Sequence, residues 1–276
     1  MKRKRKQARG GARAKQGPIA LLTDFGERDH YVGTVKGVIL SINPRGRIVD
    51  ISHAVGPQNI EEAGYLLWAS YEYFPDGTIF VCVVDPGVGS ARKIICVNTA
   101  RHTFIAPDNG LLDLVVRTEK IRSAYEIIRP PRIGMKPISA TFHGRDIFAP
   151  LAAHLSLGES VSKFGRPFDL KRPSPVLYAP EESSTTARVL HVDRFGNLVT
   201  NIPERYFAFC AVKVGSSEIS KRIHNFAEAP KNQCCLIVGS SGLVEIVVKE
   251  GSAANALGAD AHTLIAVSLQ ANGEAF

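Results

Sequence analysis

The sequence has few of the features that announce a cofactor or a metal. Its five cysteines (Cys82, Cys96, Cys210, Cys234 and Cys235) are odd in number and form no CxxC pair. Most lie inside Val/Ile/Leu runs, so they read as reduced core thiols rather than disulfides or metal ligands. There is no GxxxxGK[ST], no HExxH, and no GxGxxG between the first expected strand and helix. A dehydrogenase or P-loop enzyme is therefore disfavoured, and neither a cofactor nor a metal is expected.

Long apolar runs are also missing: none approaches the ~18 residues of a membrane span. No apolar segment follows the basic N-terminus, which contains no serine, so neither a secretory signal nor a transit peptide is expected. These absences point to a cytoplasmic protein without a membrane partner.

Acidic residues are absent from positions 1–17, MKRKRKQARGGARAKQG, where eight Lys or Arg residues stand together. They account for the formal charge of +8 and leave 26 residues of each sign in the remainder. An arm of this composition cannot bury a core and is expected to be disordered. Blocks of like charge can serve as nucleic-acid or membrane-surface tails, although a solvated tail with no specific partner is the simpler reading.

The body is 45% hydrophobic, enough for a substantial core, and 276 residues suit one large domain or two modest ones. In the first half, strand-like and helix-like patterns alternate. PIALLTDF (18–25) reads as a buried strand, followed by Tyr31, Val35, Val38, Ile39 and Ile42 at helical spacing up to Asn43-Pro44. RIVDIS (47–52) precedes a second helical pattern from Ile60 to Phe74. TIFVCVVD (78–85), KIICVNT (93–99) and TFIAP (103–107) then read as strands covered on both faces. This alternation predicts an α/β domain over residues 18–170, with a largely parallel sheet and flanking helices, the last at about 147–157.

Residues 163–184 hold four prolines and little periodicity and read as a linker. Beyond it, TARVLHVD, NLVTNI, CAVKV, CCLIVGSSGLVEIVV and HTLIAVSL are short strands separated by turn residues. A smaller antiparallel, barrel-like β domain is expected over residues 171–276.

Three polar clusters end apolar strands or open a helix: Thr23-Asp24-Phe25-Gly26, Asp85-Pro86-Gly87-Val88-Gly89, and Phe142-His143-Gly144-Arg145-Asp146. In open α/β sheets ligands bind beyond the carboxyl ends of the strands. Each cluster also has a plain structural reading. Asp-Pro-Gly is a turn, Asp24 can cap a loop, Asp146 can N-cap the helix at 147, and His143 can be a satisfied half-buried imidazole.

In combination, VDPGVGSARK, TDFG, FHGRDIFAP, PDNGLL (107–112) and DRFGNLVTNI (193–202) resemble the adenosine-forming S-adenosyl-L-methionine hydrolases. This family, also called the SAM hydroxide adenosyltransferases, is related to the fluorinating and chlorinating enzymes. The resemblance spans roughly residues 18–270. It implies an α/β domain joined to a small barrel-like domain, and a homotrimer with active sites between subunits. The implied reaction is hydrolysis of SAM to adenosine and L-methionine, with SAM as substrate and no cofactor.

Residue by residue, the resemblance puts a catalytic Asp, Arg and His on Asp85, Arg92 and His143. Such a site would hold one water in line with the ribose 5′ carbon, and a sulfonium leaving as a thioether needs no general acid. Whether His143 is the base or only orients the water is open at this point.

Asp24 matches a carboxylate that accepts the ribose hydroxyls, and Phe142 and Phe195 match aromatic walls for adenosine. Asp193 and Asn197 match residues that hold the amino-acid part, with Ser240 and Ser241 as candidates for its carboxylate. Glu245 shares a strand face with Leu243 and Val247, where a lone carboxylate is costly unless paired. The substrate ammonium and a core Lys or Arg are equal candidates.

The halogenating relatives carry a tyrosine at the position of Asp85 and lack the histidine at 143. A carboxylate there would repel a halide by several kcal/mol at low effective dielectric, which disfavours a halogenase. A non-catalytic adenosine- or SAM-binding sensor remains the other alternative.

Overall fold

The structure, a computed structural model, describes residues 17–134, 137–170 and 186–269. The basic arm before Gly17 and residues 171–184 of the expected linker lie outside them. The chain clusters into two compact units. Among the described residues, one comprises 17–58, 70–112 and 119–170, the other 59–69, 113–118 and 186–269.

The first unit is built on a seven-stranded sheet. Its strands are β1 (Ile19–Thr23), β2 (Ile48–Ser52), β3 (Ile79–Val83), β4 (Ile94–Asn98), β5 (Thr103–Pro107), β6 (Ser123–Ile127) and β7 (Gly165–Pro167), in the order β2-β1-β3-β5-β4-β6-β7. Every residue of β1 and β3 is buried, as expected of central strands covered on both faces. Helices α1 (Tyr31–Ile42) and α4 (Ala149–Ser156) pack Val35, Ile39, Leu151 and Ala152 against Ile19, Leu21, Val81 and Val83.

The sheet is mixed rather than largely parallel. Pairings β1–β2, β1–β3 and β3–β5 are parallel, whereas β4–β5, β4–β6 and β6–β7 are antiparallel. The connection between β4 and β5 spans only residues 99–102, where Thr99 N–H donates to His102 O. That is a hairpin, because a parallel crossover needs a dozen residues or more. Strand β7 forms inside the stretch expected to be linker and pairs with β6.

Asp146 does not cap the helix expected at 147. The chain enters through a π turn at Gly144–Phe148, without a side-chain cap, and α4 follows from Ala149. The Asp146 Oδ2 instead accepts the Ser139 N–H at 2.8 Å and its carboxylate pairs with Arg145.

In the second unit seven strands pair only antiparallel, in the order β11-β10-β14-β8-β9-β13-β12. They are β8 (Thr186–Val192), β9 (Leu198–Pro203), β10 (Cys210–Val214), β11 (Ser217–Ile219), β12 (Cys234–Val238), β13 (Leu243–Val248) and β14 (Leu264–Leu269). A bridge from Arg222 to Leu236 brings the chain after β11 onto β12, so the sheet nearly closes into the expected barrel. Helices α2 (Ile60–Ser70) and α3 (Asp113–Thr118) cluster with it, with Tyr65 and Leu114 packed on Leu190, Val199 and Leu243. A short helix, α5 (Ala253–Leu257), absent from the sequence reading, is N-capped by Ser252 and closed by Gly258 in the left-handed region.

The cysteines are free thiols, four of them buried, and burial pushes the Cys96 thiol up to about 12. Among the described residues no cluster of His, Cys, Asp and Glu could hold a metal ion, and no helix is long and apolar enough to cross a membrane.

Candidate active site

Asp85 follows β3 and Arg92 precedes β4, and the turn between them decides how they meet. The Val88 N–H donates to Asp85 O and the Ser90 N–H to Gly87 O, two successive tight turns that reverse the chain. Ser90 Oγ also accepts the Arg92 N–H at 3.2 Å. A Cβ on Gly87 would lie 3.1 Å from Arg92 Cγ, so a glycine leaves the arginine stem its path. The reversal lays the guanidinium along the carboxylate. Arg92 Nε donates to both Asp85 oxygens at 2.9 Å, and one terminal nitrogen bonds Oδ2. The two side chains are only 12% and 5% exposed.

The same terminal nitrogen of Arg92 reaches His143 Nδ1 at 2.7 Å. A close backbone approach makes this contact possible: Gly89 has φ +79°, and a Cβ there would sit 2.2 Å from Ala140 O. The segment leading to His143 is thus pressed onto the glycine turn. A guanidinium only donates, so Nδ1 must accept, and a neutral His143 carries its proton on Nε2. Burial first, and then Arg92, hold the imidazole below its ordinary value, against the opposite pull of Asp85 and Asp146.

Asp85 and His143 line a cavity of about 590 Å³ together with Asp24, Phe25, Tyr31, Val88 and Phe142. Neither Tyr31 nor Phe25 was among the expected substrate-contacting residues. Their rings meet Phe142 edge-on, at centroid distances of 5.2 and 5.9 Å. Gly144 leaves room for this wall, since a Cβ there would come within 3.2 Å of the Phe25 ring. Phe25 was legible as part of the TDFG stretch; Tyr31 looked like an ordinary first-turn residue of α1.

Asp24 sits just past the end of β1. Its Oδ2 accepts the N–H of Gln58 at 2.9 Å, and Gln58 has the left-handed φ of +63°. Each carboxylate oxygen has two lone pairs, so acceptor capacity remains on both.

The other expected site residues form a group within the second unit. Asp193 is largely engaged by its own turn. Its Oδ1 accepts the N–H groups of Phe195 and Asn197, and its Oδ2 accepts Asn197 Nδ2 at 2.8 Å. Asn197 is buried, whereas Phe195 is 75% exposed. Ser240 and Ser241 occupy the β12–β13 turn, where Gly242 N–H donates to Gly239 O; Ser240 is exposed, and the buried Ser241 hydroxyl, near Tyr65, makes no well-formed hydrogen bond among the described residues.

Glu245 has neither the lysine nor the arginine partner that the sequence left open; no ion pair reaches it among the described residues. Its carboxylate lies against Gly239, whose Cβ would overlap its Oε1 at 1.8 Å. Burial and then Asp193 push its pKa up, partly offset by His191. His191, unmarked in the sequence reading, is held by Glu62 Oε1 at 2.6 Å from Nδ1.

Comparison with known proteins agrees over both units. Residues 19–165 match the SAM hydroxide adenosyltransferase N-terminal domain, and residues 187–266 match its C-terminal domain. An (R)-S-adenosyl-L-methionine hydrolase of Thermus thermophilus is 38% identical over 251 residues, 87% of this chain and 95% of that protein. The like-named protein of Methanocaldococcus jannaschii is 36% identical over 83% of this chain and 87% of its own length. A fluorinase of Actinoplanes is 30% identical over 67% of this chain and 71% of its own length. The crystal structure of an uncharacterized conserved protein from Thermotoga maritima superposes with a TM-score of 0.82 at 35% identity, covering 91% of this chain and all of that one. On this extent of agreement, the chain belongs to the SAM hydroxide adenosyltransferase family.

Proposed function

We propose that this chain is a hydrolase that converts S-adenosyl-L-methionine and water to adenosine and L-methionine, with a proton released. The observation that supports this most is the chain of contacts Asp85–Arg92–His143, with its two ends lining one cavity beside Asp24 and an aromatic wall. The names of its relatives agree with it.

In this reading, water lies between an acceptor and a donor. Asp85 Oδ2 takes two contacts from Arg92 and Oδ1 only one, so Oδ1 keeps a lone pair to receive the water's proton. His143 offers Nε2–H to the water oxygen and orients it. Asp85 is thus the base and His143 the orienting group, because Nδ1 is already occupied. The water oxygen forms a bond to the ribose 5′ carbon as the carbon–sulfur bond breaks. That electron pair returns to sulfur, giving a neutral thioether that needs no acid to leave. Neither metal nor cofactor enters this scheme, since the leaving group is already activated by its positive charge. Charge is cancelled in the transition state, which an apolar, water-poor wall favours.

Asp24 accepts the ribose hydroxyls, and Phe142 and Phe195 wall the adenosine. Asp193, Asn197, Ser240, Ser241 and Glu245 take the amino-acid end. Burial and the nearby Asp193 raise the Glu245 pKa, and a bound ammonium group would favour its ionised form. This reading includes a cytoplasmic homotrimer with active sites between subunits; the 75% exposed Phe195 ring is an aromatic surface that a subunit interface would cover.

The test is to incubate the protein with each sulfonium epimer of SAM, with and without EDTA, and to follow adenosine by chromatography. Adenosine release from one epimer, unchanged by the chelator, is expected. Binding without release would turn the assignment into a sensor, and loss with EDTA would overturn the metal-free scheme. Light scattering reads the subunit count directly.

A further inference from the structure

The mechanism leaves two buried histidines unused, His53 and His102, and His53 is the one beside the site. His53 follows the last residue of β2, and β2 runs parallel to β1, so it lies beside the carboxyl end from which Asp24 projects. It is 4% exposed, and the adjacent Thr23 is 2% exposed.

His53 holds the Asp24 loop at two points that bracket it. Its Nδ1 lies 2.8 Å from Thr23 Oγ1, and its backbone carbonyl accepts the Gly26 N–H at 2.7 Å. Between them stand only Asp24 and Phe25. Thr23 Oγ1 also accepts the Phe25 N–H at 3.2 Å, which leaves its own hydrogen for the imidazole nitrogen. On the far side of the ring Nε2 comes within 3.1 Å of Asp50 Oδ1 without hydrogen-bond geometry, and Asp50 Oδ2 is 2.6 Å from Lys36 Nζ. From the third side, the loop after His53 presents the Gln58 N–H to Asp24 Oδ2. A chain of contacts thus runs from a surface lysine through Asp50, His53 and Thr23 to the backbone on either side of Asp24.

We propose that His53 is a positioning residue for Asp24, acting through Thr23 to set the ribose-accepting carboxylate in the cavity. This rests on the reading of Asp24 given above. A carboxylate on a loop must be held to about half an ångström to meet two hydroxyls at once. An imidazole suits the task because it can accept from Thr23 at one nitrogen while its other nitrogen faces the Asp50 carboxylate. Asparagine imitates the first contact but is too short for the second.

The experiment compares calorimetric affinities for adenosine and 2′,3′-dideoxyadenosine in the full-length wild type, Asp24→Asn, His53→Ala, His53→Asn and Thr23→Val. Wild type is expected to prefer adenosine by about 10-fold or more, as for a lost pair of hydrogen bonds. His53→Ala and Thr23→Val should lose most of that preference while holding dideoxyadenosine nearly as well, and His53→Asn should recover part of it. An equal loss for both ligands would mean a merely structural histidine and overturn the inference. So would an unchanged preference in the His53 variants beside a lost one in Asp24→Asn, which leaves the role of Asp24 standing. A wild type without preference would overturn both. Thr23→Val nearly preserves shape, so it carries the test should His53→Ala fail to fold.

Discussion

Arg92 donates to His143 Nδ1 across 2.7 Å with the same terminal nitrogen that bonds Asp85. One planar guanidinium therefore sets the orientation of the carboxylate and the tautomer of the imidazole together. Lysine has neither the fork nor the fixed plane to do both.

Asp85→Ala should lower the rate of adenosine release by about 10²–10⁴-fold, the usual worth of a positioned general base. Adenosine affinity, measured by calorimetry, should be nearly unchanged, because the ribose and base are read by other groups. A variant still turning over at near the wild-type rate would remove Asp85 from the chemistry.

The pH profile tests the neutral state of His143. Its pKa is lowered from 6.5 by burial and Arg92, so the Nε2–H donor with a free-electron acceptor at Nδ1 persists through neutral pH. Protonation puts a hydrogen on Nδ1 facing Arg92 and breaks the contact. The acid limb of kcat/KM should therefore lie below 6.5, and His143→Gln should displace it. An acid limb at or above 6.5 in the wild type would contradict the assignment.

Gly89→Ala should disturb both stability and rate. The residue combines φ +79° with a Cβ position 2.2 Å from Ala140 O, so the backbone leading to His143 must move away. A cost of about 1–3 kcal/mol is expected from strain of this kind, read as a fall in Tm. Gly215→Ala is the control: φ is +58° and nothing lies within 4 Å of its Cβ, so only the smaller local strain should appear, with full activity.

His102 should make the fold acid-sensitive. It is 3% exposed among Tyr71, Phe80 and Phe104, neither ring nitrogen has a hydrogen-bond partner among the described residues, and burial and then Arg101 lower its pKa from 6.5 to about 4. The unfolded chain binds the proton first, so stability is full above 6.5 and falls as the pH drops toward 4. The loss is at most about 3 kcal/mol. His102→Leu should flatten that part of the stability curve, measured by urea unfolding at pH 7 and pH 4.5.

The alternation of apolar runs and helical spacing in the first half, and of strands and turns in the second, was enough to read an α/β sheet and a barrel-like β region. Strand direction was not. The apolar runs of β4 and β5 look the same whether paired parallel or antiparallel, and only the short connection at 99–102 carried the information. Strand β7 was invisible because three residues, one of them Pro167, have no periodicity to detect. Among the site residues, Asp85 and Arg92 were legible as partners because seven positions and a glycine turn separate them. His53 was not, since its contact with Thr23 spans 30 residues and a lone histidine after a strand has no pattern.

The order of residues alone determined where polar groups end apolar strands, where glycines permit reversals, and that positions 1–17 carry eight basic residues and no acidic one. Local backbone preferences and burial decide these, and both are written in neighbouring side chains. Tertiary structure alone decided which nitrogen of His143 accepts, what surrounds Asp24, and that Glu245 lacks a protein cation among the described residues. Those depend on groups tens of residues apart meeting within 3 Å or so, a distance set by packing of whole elements.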